Sequence, residues 1–160
     1  MSSVYFFNDK QQLIKIIKSD DLIEVIRERE ISSNKEELMR NTLSVVAPFD
    51  EEIIEAGFMG VLVDDYLSLY RIVKVSDPNN RLEFVGVDSA PDELSGYIIK
   101  DIRPQNEPLI SVAKRMLEGS DWQVGVVQES TKKISTNFYY ASIKDALKAL
   151  QTHGVEIAFR

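Results

Sequence analysis

Phe58-Met59-Gly60-Val61-Leu62-Val63 runs into Asp64-Asp65, then Tyr66-Leu67-Ser68-Leu69-Tyr70-Arg71-Ile72-Val73-Lys74-Val75, then Ser76-Asp77-Pro78-Asn79-Asn80, then Arg81-Leu82-Glu83-Phe84-Val85-Gly86-Val87. The apolar run at 58–63 suits a buried strand. The paired aspartates suit a turn, because short acidic side chains tolerate left-handed backbone angles. Beyond them, Leu67, Leu69, Arg71, Val73 and Val75 alternate with Ser68, Tyr70, Ile72 and Lys74, the two-residue period of a long strand. Asp77-Pro78-Asn79-Asn80 is a strong turn signal. Residues 82–87 then return antiparallel. Strands at this spacing predict a small barrel or sandwich.

The same reading extends toward the N-terminus. Val4-Tyr5-Phe6-Phe7 is β-rich and stops at Asn8-Asp9-Lys10, and residues 12–18 return with Leu13, Ile14, Ile16 and Ile17, which predicts a hairpin. Residues 22–30 fit both helical and strand spacing, and their strand neighbours favour a strand. Residues 32–41 are polar and read as a loop. Residues 42–47 form a β-branched strand ended by Pro48, and residues 50–56 read as one helical turn closed by Gly57.

A different texture begins near residue 88. Residues 107–118 carry an apolar stripe of Leu109, Ile110, Ala113, Met116 and Leu117, with Asn106 placed to cap and Gly119 to terminate. A second helix begins at Ser142 with Asp145 three residues on, a capping-box pattern, and buries Ile143, Ala146, Leu147 and Leu150 before Gly154. Strands are expected at 122–127 and 155–159, with a loop at 128–137. The fold class is therefore α+β: a β-rich, barrel-like domain over 1–87, then a mixed helix and strand segment over 88–160. The chain stops at Arg160 directly after an apolar alternation, which predicts a longer parent protein.

Composition narrows the chemistry. The 160 residues include no cysteine, which excludes disulfides, thiolate catalysis and Cys-ligated zinc. A net charge of −7 makes the chain a poor binder of phosphate backbones, so no specific nucleic-acid binding is expected. No apolar run approaches the roughly 20 residues of a membrane span, so no stable membrane insertion is expected. The single histidine, His153, precedes a helix-ending glycine and has no nucleophile or second ligand beside it. The carboxylate pairs Asp20-Asp21, Asp50-Glu51-Glu52, Asp64-Asp65 and Asp92-Glu93 read as solvated turn formers, because glycosidic chemistry needs two carboxyls facing each other across a cleft. Neither Asp64-Asp65 nor the turn at 77–80 matches a calcium loop. The glycines form no phosphate-binding fingerprint. Trp122, Phe138, Tyr139 and Tyr140 read as core and interface residues before they read as a stacking platform. Adjacent Tyr139 and Tyr140 point to opposite faces of a strand, so one of them must find solvent, a hydroxyl partner or another subunit. The residues thus nominate no catalytic, cofactor-binding or metal-ligating side chain and no cofactor.

Three blocks in order resemble a known family. They are residues 4–17 with Asp20-Asp21-Leu22-Ile23-Glu24; Asp101-Ile102-Arg103-Pro104 followed by Met116-Leu117-Glu118-Gly119-Ser120-Asp121-Trp122; and residues 138–150 continuing to Gly154-Val155-Glu156-Ile157-Ala158-Phe159. Together they resemble the N-terminal region of phage minor structural proteins, also called tail-associated or prophage endopeptidase tail proteins, from phages of Gram-positive bacteria. The resemblance implies a fold similar to contractile-tail baseplate hubs. It implies a homotrimer below a ring of distal tail protein, in the virion tail, closing the tail tube and carrying receptor-binding or wall-degrading parts. It implies no enzyme within these residues. An acidic lumen, repelling passing DNA, is a further expectation. The alternatives from other classes are a cell-wall hydrolase or endopeptidase, and a carbohydrate-binding module using Trp122 and the tyrosines.

Overall fold

A computed structural model describes residues 2–30, 37–125, 127 and 131–159. The chain divides into two compact units, one built from residues up to 30 and Met39–Ser89, the other from Ala90–Phe159 with residues 37–38.

The first unit is one antiparallel sheet. Its strands are β1 (Val4–Phe7), β2 (Leu13–Ile17), β3 (Glu24–Glu30), β4 (Arg40–Pro48), β5 (Phe58–Val63), β6 (Tyr66–Ser76) and β7 (Arg81–Asp88). They lie in the order β2-β1-β5-β6-β7-β4-β3. The turn chemistry follows the sequence. Asp64 and Asp65 both have positive φ, at 49° and 65°, which fits the twist of a two-residue hairpin joining Val63 to Tyr66. Asn79 and Asn80 adopt positive φ at the far end of β6, where asparagine is the cheapest non-glycine residue.

One face of the sheet is the core. Val4, Phe6, Leu43, Val45, Ala47, Met59, Val61, Tyr70, Leu82 and Phe84 are buried on it, and Ile53 and Ala56 cover one end. Phe6 on β1 and Phe84 on β7 are three strand spacings apart in the sheet order, about 14 Å on a flat sheet. Their ring centroids are 5.0 Å apart, so the sheet curls strongly around its inner face. It nevertheless does not close: β2 and β3 remain as ends, and the unit is an open curled sheet rather than a closed barrel. Alternation reports which residues face inward but not whether the first strand meets the last.

Several local expectations shift. Residues 22–30 do form a strand, β3, beginning at Glu24. The loop expected at 32–41 lies outside the described residues over 32–36, and Arg40 and Asn41 already belong to β4. Residues 50–56 form consecutive hydrogen-bonded turns, Ile53 N–H to Asp50 and Ala56 N–H to Ile53, in place of a helical turn.

The second unit contains α1 (Ala90–Ser95), β8 (Ile98–Ile102), β9 (Glu107–Pro108), α2 (Leu109–Leu117), β10 (Lys133–Ile134), β11 (Phe138–Ser142) and α3 (Ile143–Thr152). β8 pairs with β11 and β9 with β10, both antiparallel. Leu94, Ile99, Leu109, Val112, Met116, Phe138, Ile143, Leu147 and Leu150 are in its core. α3 starts as expected: the Ser142 hydroxyl accepts the Asp145 backbone N–H at 3.1 Å, and Gly154 ends it with φ 99°. α2 starts later than the stripe suggested. Pro108 occupies the cap position, and Asn106 instead takes φ 49° and donates its N–H to the Ser135 hydroxyl. The buried face of α2 is Leu109, Val112 and Met116, with Ile110, Ala113 and Leu117 half-buried at its flanks.

The strands expected at 122–127 and 155–159 are absent from the described residues there. Trp122 finds side-chain partners where a strand would need a ladder. Its indole N–H donates to Glu93 at 3.0 Å, and its ring meets Phe159 edge-on at 5.9 Å. Of the loop expected at 128–137, residues 128–130 lie outside the described residues, while Lys133–Ile134 form β10.

Candidate functional site

Two regions present groups that the fold leaves unused, one in each unit.

In the first unit these are the two ends of the sheet. β2 reads Leu-Ile-Lys-Ile-Ile, and its outward-facing Leu13 and Ile16 are 53% and 46% exposed. Its one charge does not guard the edge: the Lys15 ammonium turns to Asp50 at 2.7 Å and Glu52 at 3.4 Å. The hydrogen bond from Lys15 holds the Asp50 carboxyl below its ordinary range, and the same pairing raises Lys15. β3 reads Glu-Val-Ile-Arg-Glu-Arg-Glu, and Ile26 is exposed on the outer face. Pairing β3 with its own copy, antiparallel and face to face, sets Glu24 against Glu28 or Glu30, or Arg27 against Arg27 or Arg29, in every long register, and like charges directly opposite are destabilising. Because neighbouring strands are all antiparallel and the sheet has seven of them, β2 and β3 point in the same direction.

A groove of about 470 Å³ runs along β6 past the start of β5, between Asp9 and Gly57 on one side and Arg71, Val73 and Val75 on the other. Strand register shifts between Ile72 and Lys74 here. A bulge and a lysine on an open edge are common guards against pairing.

The inner face carries a polar chain amid the core. Arg27 Nε donates to the Tyr70 hydroxyl at 2.7 Å, which donates to Asn41 Oδ1 at 2.9 Å, while Asn41 Nδ2 donates to Asp88 at 3.1 Å. The chain ties together β3, β6, β4 and β7. Tyr70 is fully buried and Asn41 nearly so. Each hydroxyl and amide in it is engaged, which is the arrangement of a structural network.

In the second unit, Tyr139 and Tyr140 are 66% and 64% exposed, and their rings meet edge-on at 4.6 Å. Both face solvent because Tyr140 has φ 48°. The ladder to β8 pairs Tyr139 with Asp101 and Ala141 with Ile99 but omits Tyr140. A left-handed bulky residue costs about 1–3 kcal/mol and persists only where the surroundings impose it. Beside the pair lies a shallow cavity of about 350 Å³ lined by Asp101, Arg103, Asn137 and Tyr139. Arg103 Nε donates to Asp101 Oδ1 at 2.9 Å.

The other singled-out residues do not converge. His153 caps α3 through its backbone and is exposed. Asp64-Asp65 sit in a hairpin turn, Asp20-Asp21 in a 3-10 turn, and Glu93 is committed to Trp122. Among the described residues no three His, Asp or Glu side chains gather as metal ligands would, and no helix is long and apolar enough to cross a membrane. Trp122 is half-buried and belongs with the core of the second unit, apart from the exposed tyrosines. Asp101 and Arg103 were legible only as part of a motif. Their neighbours Asn137 and Tyr139 lie some 35 residues away in sequence, and only the β8–β11 register joins them.

No protein-family model matches this chain, and no curated protein matches it.

Proposed function

We propose that the chain is a structural module of a bacteriophage or prophage tail tip, the N-terminal part of a baseplate-hub-like protein. In this reading it forms a homotrimer in the virion tail. It closes the tail tube and links the distal tail ring protein to receptor-binding or wall-degrading parts, with no catalysis of its own. The ordered resemblance of three sequence blocks suggests the family.

The observation that carries the reading is the curled, open sheet of the first unit, with an apolar edge at one end and a charged edge at the other. An exposed edge invites a further strand. β3 repels its own copy, whereas β2 carries one lysine, already paired, and offers Leu13 and Ile16 on the outer face where β3 offers Ile26. That asymmetry favours head-to-tail contact of β3 on β2 of the next copy. Head-to-tail contacts close into rings, and twofold contacts into dimers. The shared direction of β2 and β3 makes the joint a parallel one. Barrel-like character then belongs to the ring, with each copy supplying one curled segment.

Light scattering on the chain across a concentration series tests this. A trimer, or a monomer–trimer equilibrium, is the expected result. A dimer, or a monomer at every concentration, overturns the homotrimer. Clearing of purified cell wall by the chain in a zymogram would replace the structural reading with a hydrolase.

A further inference from the structure

We propose that the cavity beside Tyr139 is a carbohydrate-binding subsite, taking one pyranose ring of a neutral, hydroxyl-rich glycan. The proposal concerns the second unit alone and does not rest on the tail-tip reading.

Three features carry it. The first is the tyrosine pair. Two large aromatic rings side by side in solvent are unusual, and here the backbone accepts a strained Tyr140 to place both there. Among the described residues neither phenol hydroxyl has a hydrogen-bond partner. What the arrangement presents is therefore ring surface, the complement of the C–H face of a sugar. The second is the lining. Asp101, Arg103 and Asn137 are planar side chains carrying donors and acceptors in pairs, the geometry that bridges neighbouring hydroxyls. The Asp101–Arg103 bond occupies one carboxylate oxygen and Nε, leaving the second oxygen and both terminal guanidinium nitrogens directed elsewhere. The third is charge. One acid and one base cancel within the cavity, so a phosphate or an ammonium group gains no net attraction and a neutral ligand loses none.

A peptide is the competing occupant. An apolar side chain would need an aliphatic or aromatic pocket, and the lining has no aliphatic residue. A few well-placed polar groups with one aromatic wall fit a sugar better.

The test uses the full chain and four soluble probes: chitotetraose, cellotetraose, maltotetraose and a rhamnose tetrasaccharide. Saturation-transfer NMR reports binding and calorimetry its strength. A library of unstructured peptides is run in parallel. The expected result is binding of at least one saccharide, weakened severalfold, up to about tenfold, by Tyr139→Ala, the range that loss of one stacking contact brings. Asn137→Ala weakens it too, and Tyr139→Phe leaves it intact because the ring and not the hydroxyl is used. Circular dichroism checks that each variant is folded. If Tyr139→Ala is not, Asn137→Ala and Tyr139→Phe decide. Failure of all four saccharides to bind overturns the proposal. So does saccharide binding indifferent to these substitutions, or peptide binding that Tyr139→Ala abolishes.

Discussion

Tyr70 illustrates how one side chain can tie three strands, β3, β4 and β6, with Asn41 carrying the link on to β7. Its ring is packed in the core while its hydroxyl accepts from Arg27 and donates to Asn41. Removing only the oxygen leaves the buried Asn41 Oδ1 without its donor and the half-buried Arg27 Nε without its acceptor, and a stranded buried polar group costs more than the bond it made contributed. Tyr70→Phe is therefore expected to destabilise the first unit by about 1–3 kcal/mol, read as lost hydrogen-exchange protection in β6 and β7. Asp50 gives a pH-dependent counterpart. Lys15 lowers its folded-state pKa from the ordinary value of 3.8, so the stabilisation is present above that value and fades as pH falls through the lowered one. Lys15, raised from 10.5, keeps its share below that value and loses it at higher pH. The urea midpoints of the native chain and Asp50→Asn should differ by a constant amount near neutrality and converge in acid. A gap that persists at pH 2 would mean the effect is not this ion pair.

At the scale of elements, β7 passes beneath Tyr70 at Gly86. A Cβ there would lie 2.7 Å from Met59 Cε and 2.9 Å from Tyr70 Cβ. The methionine end can move, but Tyr70 Cβ is fixed by the β6 backbone. Gly86→Ala should thus cost about 1–3 kcal/mol, the range for overpacked cores, in spite of alanine's better backbone entropy. A neutral result in urea unfolding would show that the strands can separate slightly. In the second unit, the Ser142 hydroxyl caps the N-terminus of α3 by accepting the Asp145 N–H. Ser142→Ala is expected to lose about 0.5–2 kcal/mol. Trp122, the sole tryptophan and part of the same unit, supplies the fluorescence signal.

For the whole molecule, the prediction concerns assembly. If β2 joins the β3 edge of a neighbour, a carboxylate at its exposed apolar position faces the acidic run of β3. Ile16→Glu should then lower the association constant by at least about tenfold, while changing the stability of the isolated chain little because Ile16 is already half in solvent. Scattering mass that is unchanged in Ile16→Glu would remove β2 from the interface.

The strand periods, the turns at 64–65 and 77–80, and the start and end of α3 were legible in the sequence, because each depends on a few adjacent residues. Local chemistry also excluded disulfides and thiolates outright. The missed elements share a different cause. Residues 122–127 and 155–159 alternate as strands do, yet no partner strand reaches the described part of either, and a strand exists only by pairing. Asn106 had the right residue type for a cap, but Ser135 and the β9–β10 pairing claimed its backbone first. The curl of the open sheet that brings Phe6 to Phe84, the polar chain through Tyr70 and the meeting of Asp101 with Tyr139 join residues tens of positions apart. No short-range pattern encodes them, because they are set by register and curl, which only the packed core determines.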